Sequence, residues 1–174
     1  MGEAPADYLE FAAARSGPLL RTACLLTGDW HLAEDLVQET LHLPHGGTVS
    51  DLNASDDLIQ LVYDDGRGKN MVQVDAQYDM TAFLAGHMGC AGVEGDCEAT
   101  TLADGTEVKK VEGPSEKGGS AVVWLVDILY PDGRRVAVRE VDSYAESAPV
   151  TRPRPALSMD ELLAIARDKR YFTG

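Results

Sequence analysis

The pattern of apolar positions divides the chain into a helical part and a strand-like part. From Tyr8 to Leu41, apolar residues recur at the three- and four-residue spacing that is typical of amphipathic helices. A break at Thr27-Gly28 interrupts this pattern, because glycine takes the left-handed conformation of a helix end without steric cost. Asp29 then supplies an N-cap for a second helix. The sequence therefore predicts a helical hairpin over residues 8–41.

The second predicted helix carries an apolar face and an acidic face side by side. Its apolar side consists of Leu32, Ala33, Leu36, Val37 and Leu41, and its polar side of Glu34, Asp35, Gln38 and Glu39. An acidic helix face is as often a solvated surface as a binding surface. The pattern alone therefore leaves both interpretations open.

Beyond the Pro- and Gly-rich break at residues 42–50, the apolar period changes to two residues. The clearest example is 69–78, where Met71, Gln73, Asp75 and Gln77 alternate with Val72, Val74, Ala76 and Tyr78. A strand with one apolar and one polar face is typical of an antiparallel sheet with one wet side. We expect another strand at 57–63, joined to this one through the turn Asp64-Asp65-Gly66.

Two further hairpins and a final helix follow. Asp104-Gly105 and Asp132-Gly133 supply the positive φ of tight turns, and predict strands at 100–102, 107–111, 121–130 and 135–141. Residues 113–119 are expected to form a flexible loop. Ser158 and Glu161 form a capping box that opens a helix through about Lys169. The predicted fold class is thus α+β: an N-terminal helical hairpin (1–42), then an antiparallel β-sheet domain with a C-terminal helix (43–174).

His87, Cys90 and Cys97 form the most chemically suggestive cluster of the chain. A zinc site would need a fourth ligand and usually has closer cysteine spacing. A thiol nucleophile with a histidine base is a second interpretation, although the sequence gives no geometry for it. A disulfide between Cys90 and Cys97 is favoured if this domain evolved outside the cytoplasm. We expect no metal, and interpret His42 and His45 as linker residues.

Charge restricts the range of functions. The chain has a formal net charge of −14, and its first 44 residues carry two arginines against seven acidic residues. Nucleic-acid binding requires a basic surface that neutralises phosphates. We therefore expect no direct DNA binding from this chain alone.

The run ARSGPLLRTACLLTGDWHLAEDLVQETL resembles the start of region 2 of SigE-type extracytoplasmic-function sigma factors, members of the sigma-70 family. In that family, the helix matching residues 31–41 docks on the β′ clamp helices of core RNA polymerase. The resemblance implies that Asp35, Leu36, Gln38 and Glu39 contact the polymerase. It covers about 35 residues, and the promoter-melting helices and the −35-binding domain of a sigma factor do not follow it.

The remainder, about 43–172, is similar to the extracytoplasmic part of actinobacterial membrane proteins encoded beside such sigma genes. The order LADGTEV, YPDGRRVAV and APVTRPRPALSMDELLAIARD carries this looser resemblance. It implies a sensor-like β domain without known catalytic residues. Together, the two resemblances suggest a fusion in which a truncated sigma fragment replaces a membrane helix.

We therefore expect a partial sigma-factor-like transcription initiation protein that docks on RNA polymerase. The alternative is a non-enzymatic ligand- or protein-binding domain of a sigma-factor-associated regulator. Nucleophile-elbow, metalloprotease, Walker and dinucleotide motifs are not found, so we expect neither an enzyme nor a cofactor. The short acidic start and the lack of a long apolar run predict a cytoplasmic protein without membrane contact. Surplus apolar helix surface is compatible with a homodimer.

Overall fold

The computed structural model describes residue 43 and the ranges 46–54, 57–117 and 119–172. Its centre is one seven-stranded antiparallel sheet in the order β1-β2-β3-β7-β6-β5-β4. The strands are β1 (Thr48–Ala54), β2 (Leu58–Asp64), β3 (Lys69–Gln77), β4 (Asp96–Thr101), β5 (Glu107–Pro114), β6 (Val122–Leu129) and β7 (Arg135–Val141). The predicted antiparallel sheet with a C-terminal helix is confirmed. The helical hairpin predicted over residues 8–41 lies outside the described residues.

The sheet consists of two meanders that meet at its centre. Strands β1 to β3 form one meander and β4 to β7 the other, and β3 pairs with β7 between them. The chain must therefore run from the centre of the sheet, at the end of β3, to its far edge, at the start of β4. This connection spans residues 78–95. It packs Met80, Leu84 and Met88 against Leu129 of β6.

Among the described residues, one α-helix, α1 (Met159–Ala166), covers one face of the sheet. The predicted capping box is present, since the Ser158 amide donates to Glu161 Oε2 at 2.7 Å and the Glu161 amide donates to Ser158 Oγ at 3.3 Å. Leu162, Ile165 and Ala166 point into the core from this helix. The α-helix is shorter than predicted, and a 3-10 turn, Lys169–Phe172, follows it.

The core lies between this helix and the sheet. Alternate residues of the inner strands point toward α1 and are fully buried: Leu61, Tyr63, Val72, Val74, Val126, Ile128, Val136 and Val138. Leu43, at the start of the described chain, joins the same cluster. Gly47 leaves room for the Tyr63 ring, because a Cβ at that position would lie 2.3 Å from Tyr63 Cε2. The opposite face, which we call the open face, carries Arg135, Ala137, Arg139 and Val141 of β7.

Strand β1 was not predicted, because its sequence does not keep the two-residue period. Its apolar residues, Val49 and Leu52, are three positions apart. The pairing with β2 is irregular between Ser50 and Asn53, and Asp51 takes a φ of 50°. A β-bulge adds one residue and moves the following side chains to the other face. The bulge therefore breaks the two-residue period by which a strand is recognised in a sequence.

The structure also corrects the predicted start of the loop at 113–119, because β5 extends to Pro114. Gly113 and Pro114 belong to β5, where Gly113 pairs with Val123 of β6. A Cβ on Gly113 would lie 2.3 Å from the carbonyl oxygen of Glu94. Glycine is required here by the close approach of another backbone rather than by a turn.

Candidate functional site

A cleft of about 510 Å³ opens on the open face of the sheet, toward the β4 edge. Its floor is apolar and consists of Val111, Val123 and Leu125 from two neighbouring strands. Residues 91–94 form one wall, residues 113–116 form another, and Arg139 and Glu146 stand at one end. The cleft therefore combines an apolar floor with a charged end.

The strand register places the floor and the charge in one line. Val111 of β5 pairs with Leu125 of β6, and Leu125 pairs with Arg139 of β7. Residues paired in this way point to the same face and follow one another at the strand spacing, about 4.8 Å. The line from Val111 to Arg139 thus spans about 10 Å across the sheet.

Arg139 and Glu146 form a close ion pair at the charged end of the cleft. Arg139 Nη1 donates to Glu146 Oε1 at 2.7 Å, and Lys117 Nζ lies 3.4 Å from the same oxygen. The Glu146 side chain is only 5% exposed, whereas that of Arg139 is 32% exposed. Burial alone would raise the pKa of Glu146, but the hydrogen bond and charge of Arg139 hold it below its ordinary value. Glu146 is therefore a fixed anion at neutral pH.

A disulfide holds the wall formed by residues 91–94. Cys90 and Cys97 are bridged, with 5.7 Å between their Cα atoms, and the loop between them contains the whole wall. Lys109 Nζ donates to the carbonyl oxygen of His87 at 3.1 Å, just before the bridge. His87 thus contributes its backbone to this contact, and both cysteine sulfurs are used in the bridge. Of the three interpretations of the cluster, the structure thus has the disulfide between Cys90 and Cys97.

A second polar cluster lies farther along the open face. Arg135 donates to Asp127 through Nε at 2.8 Å and through Nη2 at 2.6 Å, and its Nη1 donates to Gln77 Oε1 at 2.8 Å. These contacts tie β3, β6 and β7 together. Next to them, burial raises the pKa of Asp75, which accepts a hydrogen bond from Gln73. The Arg135 donors are directed at protein groups, so this cluster stabilises the sheet.

A third polar cluster lies inside the core, on the helix side of the sheet. Glu140 of β7 accepts hydrogen bonds from Asn70 Nδ2 at 2.6 Å and from the amides of Ala156 at 2.7 Å and Leu157 at 3.0 Å. Burial raises the pKa of Glu140 to about 8, in opposition to the two amide hydrogen bonds. Arg152 Nη1 donates to Asn70 Oδ1 at 2.9 Å. The described partners of Glu140 are groups of β3 and of the segment before α1, so the cluster ties that segment to the sheet, which indicates a structural role.

The residues that the sequence singled out divide into two groups. Asp35, Leu36, Gln38 and Glu39, expected to contact the polymerase, lie outside the described residues. Cys90 and Cys97 form the bridge that closes the loop containing residues 91–94, the wall of the cleft. The sequence analysis missed Arg139 and Glu146. Arg139 lies beside Leu125 through the register of β6 and β7. The segment after β7 that brings Glu146 back to Arg139 carries no recognisable sequence motif.

Over residues 43–172, apart from the undescribed positions, no three His, Cys, Asp or Glu side chains converge as metal ligands would. Among the same residues, no helix has both the length and the apolar content needed to cross a bilayer.

Comparison with known proteins finds no match, since no family model, no curated protein and no solved structure corresponds to this chain.

Proposed function

We propose that residues 43–172 form a non-enzymatic binding module that holds a small ligand in the open-face cleft. The observation that carries this proposal is the line of Val111, Leu125 and Arg139 across three strands. Its volume, about 510 Å³, lies within the usual range of small-molecule sites, about 300–1,000 Å³. An apolar surface with a few placed polar groups is the usual lining of a site that binds and orients a small ligand.

The state of the charged groups supports binding rather than catalysis. A general acid or base works best when its pKa lies near the working pH. The pKa of Glu146 is displaced away from neutral pH, below that of an ordinary glutamate, because Arg139 stabilises the anion. Lys109 is held by the backbone of His87. These groups provide shape and charge to the cleft.

A fragment screen tests this proposal. The 174-residue chain with labelled Val and Leu methyl groups is titrated with neutral, cationic and anionic fragments, and methyl shifts are followed by NMR. We expect binders that shift Val111, Val123 and Leu125, and that lose affinity in the variant Ala91→Trp, which fills the cleft from its wall. The matched control is Ala164→Trp, at an exposed position of α1. If no fragment shifts the floor residues, the cleft is not a binding site.

A second candidate function belongs to residues 8–41, and it is supported by sequence resemblance alone. We propose that this segment docks on the β′ clamp helices of core RNA polymerase, with Asp35, Leu36, Gln38 and Glu39 in contact. The acidic face of the predicted second helix is complementary to a basic polymerase surface. In this proposal, the fused β domain senses a ligand while the sigma-like segment binds the polymerase without completing initiation.

A pull-down with purified core polymerase tests the docking proposal. We expect the full chain to be retained, and the double variant Asp35→Lys/Glu39→Lys to be lost. The matched control, Glu3→Lys/Asp7→Lys, makes the same change in net charge outside the predicted contact. Equal retention of the two double variants, or no retention of the native chain, would contradict docking through these residues.

A further inference from the structure

We propose that the ligand of the open-face cleft is a carboxylate with an apolar body, bound with its carboxylate on Arg139 and its body on Val111 and Leu125. This inference rests on the binding function proposed above, and it adds the chemical class of the ligand.

The length and direction of the cleft floor define the apolar body. Val111 and Leu125 are register neighbours, and both are only half-buried although they lie on inner strands. The next residue of the same line is the cation Arg139. A ligand lying across the strands therefore meets two apolar side chains and then a positive charge, within about 10 Å.

The guanidinium of Arg139 has donors available for a ligand. It carries five N–H groups, and its hydrogen bond to a protein group within the described residues uses one of them, from Nη1 to Glu146. A carboxylate offers two oxygens in a plane that match two parallel N–H groups of a guanidinium. With its side chain 32% exposed, Arg139 is accessible from the cleft.

The balance of charge around Arg139 also favours an anion. Glu146 is shared between two cations, since both Arg139 and Lys117 contact its Oε1. The three groups together carry a net charge of +1, and solvent screens the charge of Lys117, whose side chain is 67% exposed. Glu94 and Glu116 also line the cleft, but both are exposed, so solvent and salt weaken their repulsion of an incoming anion.

Octanoate and 1-octanol are suitable probes, because they share an apolar body and differ in the carboxylate. We expect octanoate to bind the full chain about tenfold more tightly than octanol, as one charge-assisted hydrogen-bonded pair would provide. Binding is measured by calorimetry, and the methyl shifts of Val111 and Leu125 locate it. Equal affinities of the two probes would overturn the inference.

Substitutions of the ion pair give the sharper test. In Glu146→Gln, the internal competitor for Arg139 loses its charge, so octanoate should bind several-fold more tightly while octanol is unchanged. In Arg139→Met/Glu146→Gln, both charges are removed together, so that no buried anion is left unpaired, and octanoate should fall to the affinity of octanol. If Arg139 serves only the fold, neither variant will change the ratio of the two affinities.

The outcomes separate this inference from the function on which it rests. If neutral or cationic fragments shift the floor residues and octanoate does not, the binding function stands and the carboxylate class is wrong. If no fragment of any class binds, both fail. Tighter octanoate binding in Glu146→Gln, with shifts at Val111 and Leu125, supports both.

Discussion

The Glu140 carboxylate accepts a 2.6 Å hydrogen bond from Asn70 Nδ2, and both side chains are completely buried on the helix side of the sheet. The same carboxylate accepts from the amides of Ala156 and Leu157, immediately before α1. One acidic side chain thus joins β3, β7 and the segment that leads into the helix. Burial disfavours the charged form of this side chain, and it raises the pKa of Glu140 to about 8.

Glu140 should give the protein a stability that falls as the pH rises. Between pH 4.5, the ordinary pKa of a glutamate, and about pH 8, the folded state holds a proton that the unfolded chain has released. The contribution of Glu140 is therefore greatest below pH 4.5 and declines up to about pH 8, by at most about 1.4 kcal/mol per pH unit. Urea unfolding of the native chain and of Glu140→Gln between pH 4 and 9 measures this difference.

The matched control for this experiment is Glu112→Gln, which removes an exposed carboxylate from β5. The raised pKa values of Asp75 and Asp142 and the lowered pKa of Glu146 also affect the pH profile. These groups are present in every variant, so the difference between native protein and Glu140→Gln isolates Glu140. A difference that does not change with pH would show that Glu140 titrates normally in the folded state.

The pair of Asp127 and Arg135 should stabilise the sheet more than a surface ion pair does. Its side chains are 8% and 19% exposed, and Arg135 contacts both carboxylate oxygens. We expect Asp127→Asn to lower the free energy of unfolding by about 1.5–3 kcal/mol, as expected for hydrogen bonds to a charged group.

Asp132→Asn is the control for that substitution. Asp132 pairs with Arg134 at 2.8 Å, but the two side chains are 54% and 39% exposed. Solvent screens such a pair, so the loss should stay below about 1 kcal/mol. Chemical denaturation of both variants at one pH provides the comparison, and equal losses would contradict the structural role assigned to Asp127.

Helix α1 should depend on Ile165 for its attachment to the sheet. This side chain is fully buried in the core between α1 and the strands. Ile165→Ala leaves a cavity, and we expect a loss of about 2–5 kcal/mol in the free energy of unfolding. The exposed neighbour Ala164 serves as the control through Ala164→Gly, which should cost only about 1 kcal/mol of helix propensity. Similar losses for the two variants would mean that the helix is not packed as described.

The elements that were predictable are those whose signal is local. Strand β3 alternates apolar and polar residues from Val72 to Gln77, the Asp-Gly pairs place the hairpin turns, and Ser158 with Glu161 marks the start of α1. Strand β1 could not be found, because its bulge breaks the alternation that identifies a strand. Strand β4 begins at Asp96, four residues before its predicted start, and its exposed side chains show no apolar period.

The cleft was not predictable, because it depends on pairing between strands. The register of the two consecutive hairpins β5-β6 and β6-β7 brings Arg139 to Leu125 and Val111, and the long connection between β3 and β4 brings residues 91–94 beside them. Glu140 did carry a signal, since it continues the alternation of Val136 and Val138 on the buried side. A charged residue at a core position of a strand indicates a buried polar network.

The disulfide couples the stability of the fold to the shape of the cleft. Cys90 and Cys97 are seven positions apart, and closing so short a loop should contribute about 2 kcal/mol through the entropy of the unfolded chain. We expect Cys90→Ser/Cys97→Ser to lose about that free energy of unfolding. Its cleft affinity for octanoate should fall as well, because residues 91–94 form a wall only while their loop is held.

A reductant provides the second half of this experiment. In a Cys24→Ser background, Cys90 and Cys97 are the two cysteines left in the chain. Dithiothreitol should then reproduce the behaviour of the double serine variant, and reoxidation should restore the native behaviour. Stability is followed by thermal unfolding, and octanoate binding by calorimetry. If reduction lowers stability while octanoate binds unchanged, the loop keeps its shape without the bridge. The wall would then be held by the contact of Lys109 with His87 and by the close approach of Gly113 to Glu94.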